Sequence, residues 1–133
     1  MTGVLALASC SDRESVRSRT VALNNTPQIG DFAVYAKNSL KNVVPMGIDC
    51  HIGSQITQIT PFVDALKKTT DLLGRLRAEG LDIKYIDMGG GLGITYDKEE
   101  PPHPSKYGEA VIKGTKGLGV TLIFEPGRSM VGN

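Results

Sequence analysis

Three short stretches carry residue types that could do chemistry: GIDCHIGSQI (47–56), GGGLG (Gly89 to Gly93) and EPGR (Glu125 to Arg128). In the first, His51 ends an apolar run and is followed by Gly53, Ser54 and Gln55, a flexible turn whose hydroxyl and amide suit a bound polar ligand. The plainer alternative is a histidine that hydrogen-bonds in a core or loop. Strand alternation puts Asp49 and His51 on one face and Ile48 and Cys50 on the other, so Cys50 and His51 are not expected to share a metal. In the second stretch, the amides of Gly89, Gly90 and Gly91 could close around a phosphate; otherwise the run is only a flexible turn. It lacks both the Gly-Lys-Ser/Thr ending of a nucleoside-triphosphate loop and the G-x-G-x-x-G of a dinucleotide site. In the third, Glu125 and Arg128 flank a rigid turn at Pro126 and Gly127. Glu125 could hold a protonated ring nitrogen, and Arg128 could bind a phosphate or carboxylate with its fork of donors. The alternative is a surface turn with a weak ion pair.

The elements that must position these residues follow from periodicity. VVPMGIDCH reads as an apolar, β-branched strand preceded by a short helix in DFAVYAKNSLKN. Thr60 and Pro61 stand where an N-cap and a first helical residue belong. Val63, Leu66, Thr70, Leu73 and Leu76 then mark one helical face that Gly80 closes. LDIKYIDMGGG is the next strand and turn, HPSKYGEAVIKGTKG a helix weakened by Gly108 and Gly114, and GVTLIFEPGR a third strand and turn. The order β-α-β-α-β predicts an α/β protein with a parallel sheet or barrel covered by helices, and in such folds ligands bind at the carboxyl ends of the strands. All three polar clusters fall at that end. His51 and Gly89 are 38 residues apart, and Gly89 and Glu125 are 36 apart. This is the repeat expected of a (β/α)8 barrel of roughly 250 to 400 residues, of which three βα units form less than half. Residues 1–30 read as a non-matching segment, with SDRESVRSRTVALNNTPQIG as loop or disorder, and residues 31–133 as the partial barrel domain.

Composition narrows the function classes. The 133 residues carry 15 basic and 14 acidic side chains, a net charge of +1 that favours neither nucleic acid nor an anionic membrane as partner. Two cysteines, Cys10 and Cys50, make no disulfide framework or zinc site, and the cytoplasm is the expected compartment. LALASC resembles a lipoprotein cleavage box, but no Lys or Arg precedes Cys10 and the apolar run is short, so export is not expected. No run approaches the roughly 20 apolar residues of a spanning helix.

An imidazole, a phosphate cradle and a carboxylate for a ring nitrogen together describe a pocket for pyridoxal 5'-phosphate. The stretches GIDCHIGSQI, YIDMGGGLGITYD with EEPP after it, and IFEPGRSMVGN closely resemble the diaminopimelate decarboxylases, alanine-racemase-like barrel enzymes of fold type III, over residues 31–133. The resemblance implies that His51 stacks on the pyridine ring and that Ser54 lies near the phosphate. Gly89, Gly90 and Gly91 would bind the phosphate through their amides. Glu125 would bond the pyridine nitrogen, with His51 and Glu125 as the catalytic pair. Pro126, Gly127 and Arg128 would complete the cofactor site, and Arg128 would also meet the substrate carboxylate. The implied reaction takes meso-diaminopimelate to L-lysine and carbon dioxide in a homodimer, with no metal. Arginine and ornithine decarboxylases share parts of the pattern.

The resemblance breaks in two places. The family's cofactor-holding lysine lies far upstream of the histidine, in a Tyr-Ala-x-Lys-like setting. Lys37 follows Tyr35 and Ala36, yet it stands only 14 residues before His51, in the helix leading to the strand, and is not expected to be that lysine. The family's essential cysteine and C-terminal β-domain are not recognisable either, and Cys50 lies in the wrong region to be that cysteine. The chain is therefore expected to be an internal piece of such an enzyme, inactive in isolation and prone to aggregate or oligomerise through open sheet edges.

Overall fold

In the computed structural model, residues 3–10, 19–23 and 26–132 are described. They form β1 (Gly3–Cys10), β2 (Arg19–Leu23), α1 (Thr26–Ser39), β3 (Val43–His51), α2 (Thr60–Ala78), β4 (Tyr85–Asp87), α3 (Pro104–Thr115), β5 (Thr121–Ile123) and α4 (Gly127–Val131). One sheet has the order β2-β1-β3-β4-β5. The β3, β4 and β5 strands run parallel, as the β-α-β-α-β reading requires. The β4 and β5 ladders are shorter than the apolar runs that contain them. Backbone bonds extend the alignment beyond the ladders: Lys84 N donates to Met46 O (2.8 Å), Thr121 N to Lys84 O (2.8 Å), and Met88 N to Ile123 O (2.9 Å).

The N-terminal segment corrects the expectation of loop or disorder over residues 1–30. Strands β1 and β2 form an antiparallel pair, and β1 runs antiparallel to β3 with an irregularity between Leu7 and Ala8. The physical reason is the free edge of β3, whose unpaired N–H and C=O groups accept any extended segment, a demand that leaves no periodic mark in the sequence. Helix α1 also begins at Thr26, earlier than expected. Residues 1, 2, 11–18, 24 and 25 of that stretch lie outside the described residues.

The core lies between the sheet and helices α2 and α3. Ile48, Cys50, Ile86 and Met88 are at most 2% exposed. Against them α2 buries Phe62, Ala65, Leu66, Thr69, Leu72, Leu73 and Leu76. Val63 and Thr70, expected on that stripe, sit at its flanks; Phe62 and Thr69 take their place, and the Thr69 hydroxyl donates to Ala65 O (3.0 Å). Helix α2 starts one residue earlier than expected: Ile59, not Thr60, is the N-cap, it makes no side-chain cap bond, and Thr60 is the first helical residue. Gly80 closes the helix with φ 75°, as expected. Helix α3 survives its two glycines because Tyr107 packs against Phe62 (4.5 Å between ring centroids) and Phe124 (5.6 Å). At Gly114 a Cβ would stand 2.5 Å from Leu66 Cδ2, so this glycine admits the close approach of α2.

Candidate functional site

The register of the parallel strands builds the site. Asp49 lies opposite Asp87, and Asp87 opposite Ile123. Two residues further on, His51, Gly89 and Glu125 form the next layer, tied by Glu125 N donating to Gly89 O (2.9 Å). Asp49, His51, Asp87 and Glu125 therefore share the sheet face opposite the helices, and Cys50 points to α2, where its thiol meets the Thr69 hydroxyl and burial pushes its pKa up.

The glycine run does more than line a cradle. A Cβ on Gly89 would stand 2.9 Å from His51 Nδ1, one on Gly90 would stand 2.5 Å from Glu125 O, and one on Gly91 would run into Gly53 O. The missing side chains thus allow the three loops to close on one another. Two of the three amides are engaged within the protein: Gly89 N donates to Asp87 Oδ1 (2.8 Å) and Gly90 N to His51 Nδ1 (3.4 Å). The Gly91 N–H finds no acceptor among the described residues, while its carbonyl accepts from Ile56 N (2.8 Å). Accepting at Nδ1 sets the neutral His51 ring with its proton on Nε2, which faces outward on an exposed side chain.

Arg128 does not turn back to Glu125 across the Pro126–Gly127 turn. Its Nη2 donates to Ser54 Oγ (3.0 Å), its Nη1 to Gln55 Oε1 (3.1 Å), and its guanidinium lies 5.7 Å from the centroid of the Tyr96 ring. The first and third motifs are joined by these bonds. The first and second are joined by Ile56, which bridges to Leu92 and accepts from Gly93 N (3.0 Å). Glu125 is exposed, and its carboxylate bonds to no described residue.

Sequence reasoning put Asp49 on the face of His51 but gave it no role, and missed Asp87 and the linking role of Gln55 and Tyr96. The Asp49 pKa is pushed up to about 6, first by burial and then by the negative charges of Asp87 and Glu125, against the opposing pull of His51. Its Oδ1 is buried without a hydrogen-bond partner. The period of two that placed Asp49 also marks Asp87, which precedes Gly89 by two residues as Asp49 precedes His51. Lys37 is engaged apart from the three motifs: its Nζ donates to Glu79 O (2.6 Å) at the carboxyl end of α2. A groove between α1 and α2, lined by Val34, Tyr35, Leu72 and Arg75, holds none of the three motifs.

These features define an α/β protein whose polar loops gather at the carboxyl ends of parallel strands, where such sheets bind their ligands. Residues 29–132 match the model of the pyridoxal-dependent decarboxylases, pyridoxal binding domain, and the chain belongs to this family. It is 47% identical over 102 residues to the diaminopimelate decarboxylase of Pseudomonas aeruginosa, covering 76% of this chain and 25% of that protein. It is 43% identical over 114 residues to that of Haemophilus influenzae, covering 85% and 26%. The crystal structure of diaminopimelate decarboxylase from Helicobacter pylori complexed with L-lysine superposes with a TM-score of 0.75 at 30% identity, over 92% of this chain and 30% of that one. The chain thus spans about a quarter of the length of the curated relatives it matches. Among the described residues no helix is long and apolar enough to cross a membrane.

Proposed function

We propose that this chain is the pyridoxal phosphate-binding segment of a cytoplasmic, homodimeric decarboxylase that converts meso-diaminopimelate to L-lysine and carbon dioxide, folded as about three βα units of a (β/α)8 barrel. The observation that carries this reading is the convergence of the three motifs, with His51, Gly89 and Glu125 in one layer and Arg128 reaching Ser54 across it. The residues present fit the cofactor. Glu125 offers a free carboxylate for a ring nitrogen, His51 an exposed ring held at Nδ1, and Gly91 N–H with the Arg128 fork offer donors for a phosphate.

When bound, the cofactor supplies an electron sink for the bond that releases carbon dioxide. Glu125 would accept a hydrogen bond from the protonated ring nitrogen and keep that atom charged, which the sink requires. His51 would fix the plane of the ring by stacking. Arg128 would bind the phosphate or the substrate carboxylate, and Pro126 and Gly127 would hold it and Glu125 at a fixed separation. Lys37, bonded to Glu79 O away from the three motifs, would hold no cofactor, and on this reading the chain alone should release no carbon dioxide. Titration of the labelled chain with pyridoxal phosphate, followed by amide NMR, tests the binding. Shifts at Ser54, Gly91 and Arg128 are expected, together with carbon dioxide release from diaminopimelate equal to the protein-free control. Saturating cofactor that moved none of these amides would sink the reading.

A further inference from the structure

We propose that Gln55 is a positioning residue that aims the Arg128 guanidinium by clamping two loops and the start of α4 together, and so sets how tightly Arg128 holds an anionic group. Both ends of its amide are occupied inside the protein. Nε2 donates to Ile94 O (2.5 Å), and Oε1 accepts from Ile94 N (3.2 Å) and from Arg128 Nη1 (3.1 Å). Against Ile94 the side chain pairs as an extra piece of backbone, which fixes its carbonyl oxygen in space. That oxygen then uses its second lone pair on Arg128. One amide thus ties the loop after β3 to the loop after β4 and to α4. Ser54 takes the other terminal nitrogen, and Tyr96 lies beside the guanidinium. Two of the five guanidinium N–H groups are used this way, and the others keep a set direction.

The backbone supports the assignment independently. Gln55 has φ 54° and is the one non-glycine residue with positive φ among those described. Glycine or asparagine would sit there more easily. The clamp geometry, in other words, is held against a local backbone preference. Gln55 acts through Arg128: both lone pairs of its carbonyl oxygen are in use, and one N–H of its amide holds Ile94 O.

The effect on anion binding rests on the reading of Arg128 given above; the clamp itself does not, and the test separates them. Gln55→Gly relieves the backbone and removes the amide, Gln55→Asn tolerates the same φ but falls one carbon short, and Gln55→Glu keeps an oxygen for Arg128. In the full chain, side-chain NMR should show restricted rotation of the Arg128 guanidinium, lost in the Gly and Asn variants and partly restored in the Glu variant, with α2 amide signals unchanged throughout. Inorganic phosphate affinity should fall about tenfold in Gln55→Gly, the size of one hydrogen bond to a charged group. That loss should vanish in an Arg128→Ala background. An Arg128 side chain equally mobile in the parent and in Gln55→Gly overturns the clamp, as does a phosphate loss of the same size in both backgrounds. Release of Arg128 in Gln55→Gly, with phosphate affinity equal in every variant including Arg128→Ala, upholds the clamp and removes the phosphate role from Arg128.

Discussion

The two faces of the β3-β4-β5 sheet are made by alternate residues of the same strands, yet they have almost nothing in common. On the helical face Ile48 lies opposite Ile86, with Cys50 and Met88 next along, all apolar and closed off by α2 and α3. On the other face the half-buried Asp49 lies opposite the buried Asp87, and the exposed His51 and Glu125 stand one layer on, all charged or polar. A slip of one residue in register would exchange the two faces entirely, so the apolar face fixes the register that the polar face depends on. Stability and chemistry are carried by neighbouring positions and should respond separately to mutation.

The largest effect belongs to the apolar face. Phe62 is 1% exposed and stacks with Tyr107 between helices, so Phe62→Ala should cost about 3–5 kcal/mol in urea unfolding. A midpoint that did not move would mean that the core lies elsewhere. Glu125→Gln should give the opposite pattern. Its exposed side chain contributes no bond, so stability should change by less than about 0.5 kcal/mol. In a complete enzyme carrying this segment, however, the same change should slow the decarboxylation step by about 100- to 1000-fold, on the scale of removing one preorganised charge-stabilising donor. Single-turnover kinetics checks it, and parent-rate turnover would reduce EPGR to a structural turn.

Asp49 is where the two faces touch, because it is polar in type and partly buried in place. Its pKa in the folded chain, about 6, lies above the ordinary 3.8, so folding favours the protonated acid. The stability this contributes is fully present below about pH 4 and is lost as pH rises through 6, where the buried carboxylate must ionise beside Asp87 and Glu125. Asp49→Asn removes the titration. Relative to the parent, the variant should gain on the order of 1 kcal/mol between pH 4.5 and pH 7.5, less than the full shift implies because the group is half-wet and screened. Urea melts at the two pH values give the difference, and a gain at the acid end would reverse the assignment.

How much of this was legible in the sequence depends on whether the cause is local. The span of β3, the existence of α2 and α3, and the gathering of three motifs at one end follow from apolar period and from turn residues at fixed places, all of which act along the chain. The N-terminal hairpin was not legible because its cause is the edge of β3, far away in sequence. The leucines of α2 suggested a stripe through Val63 and Thr70; the buried stripe runs one residue earlier, through Phe62 and Thr69, because Tyr107 of α3 supplies the surface that Phe62 fills. At the site the glycines looked like a ligand cradle. Their first constraint is the approach of other loops, visible only when Gly90 is seen against Glu125 O and Gly91 against Gly53 O. The link through Gln55 was equally hidden, since its partners Ile94 and Arg128 lie 39 and 73 residues away.

The smallest expected effect separates the sequence reading of α2 from its structure most sharply. If Thr60 were the N-cap, its hydroxyl would satisfy an orphan amide of the first turn, and Thr60→Ala would cost about 0.5–2 kcal/mol. In the structure Ile59 occupies the cap, and Thr60 is already helical. The first turn is instead closed through the backbone, with Phe62 N and Val63 N donating to Ile59 O at 3.0 and 3.1 Å, and Pro61 has no N–H to satisfy. Alanine also has the better intrinsic helix propensity. Thr60→Ala should therefore leave the urea midpoint within about 0.3 kcal/mol of the parent, or raise it slightly. A loss above about 0.5 kcal/mol would show that the Thr60 hydroxyl caps the helix in solution, and that the apolar face of α2 does not by itself hold the helix end beside the loop that carries Ser54 and Gln55.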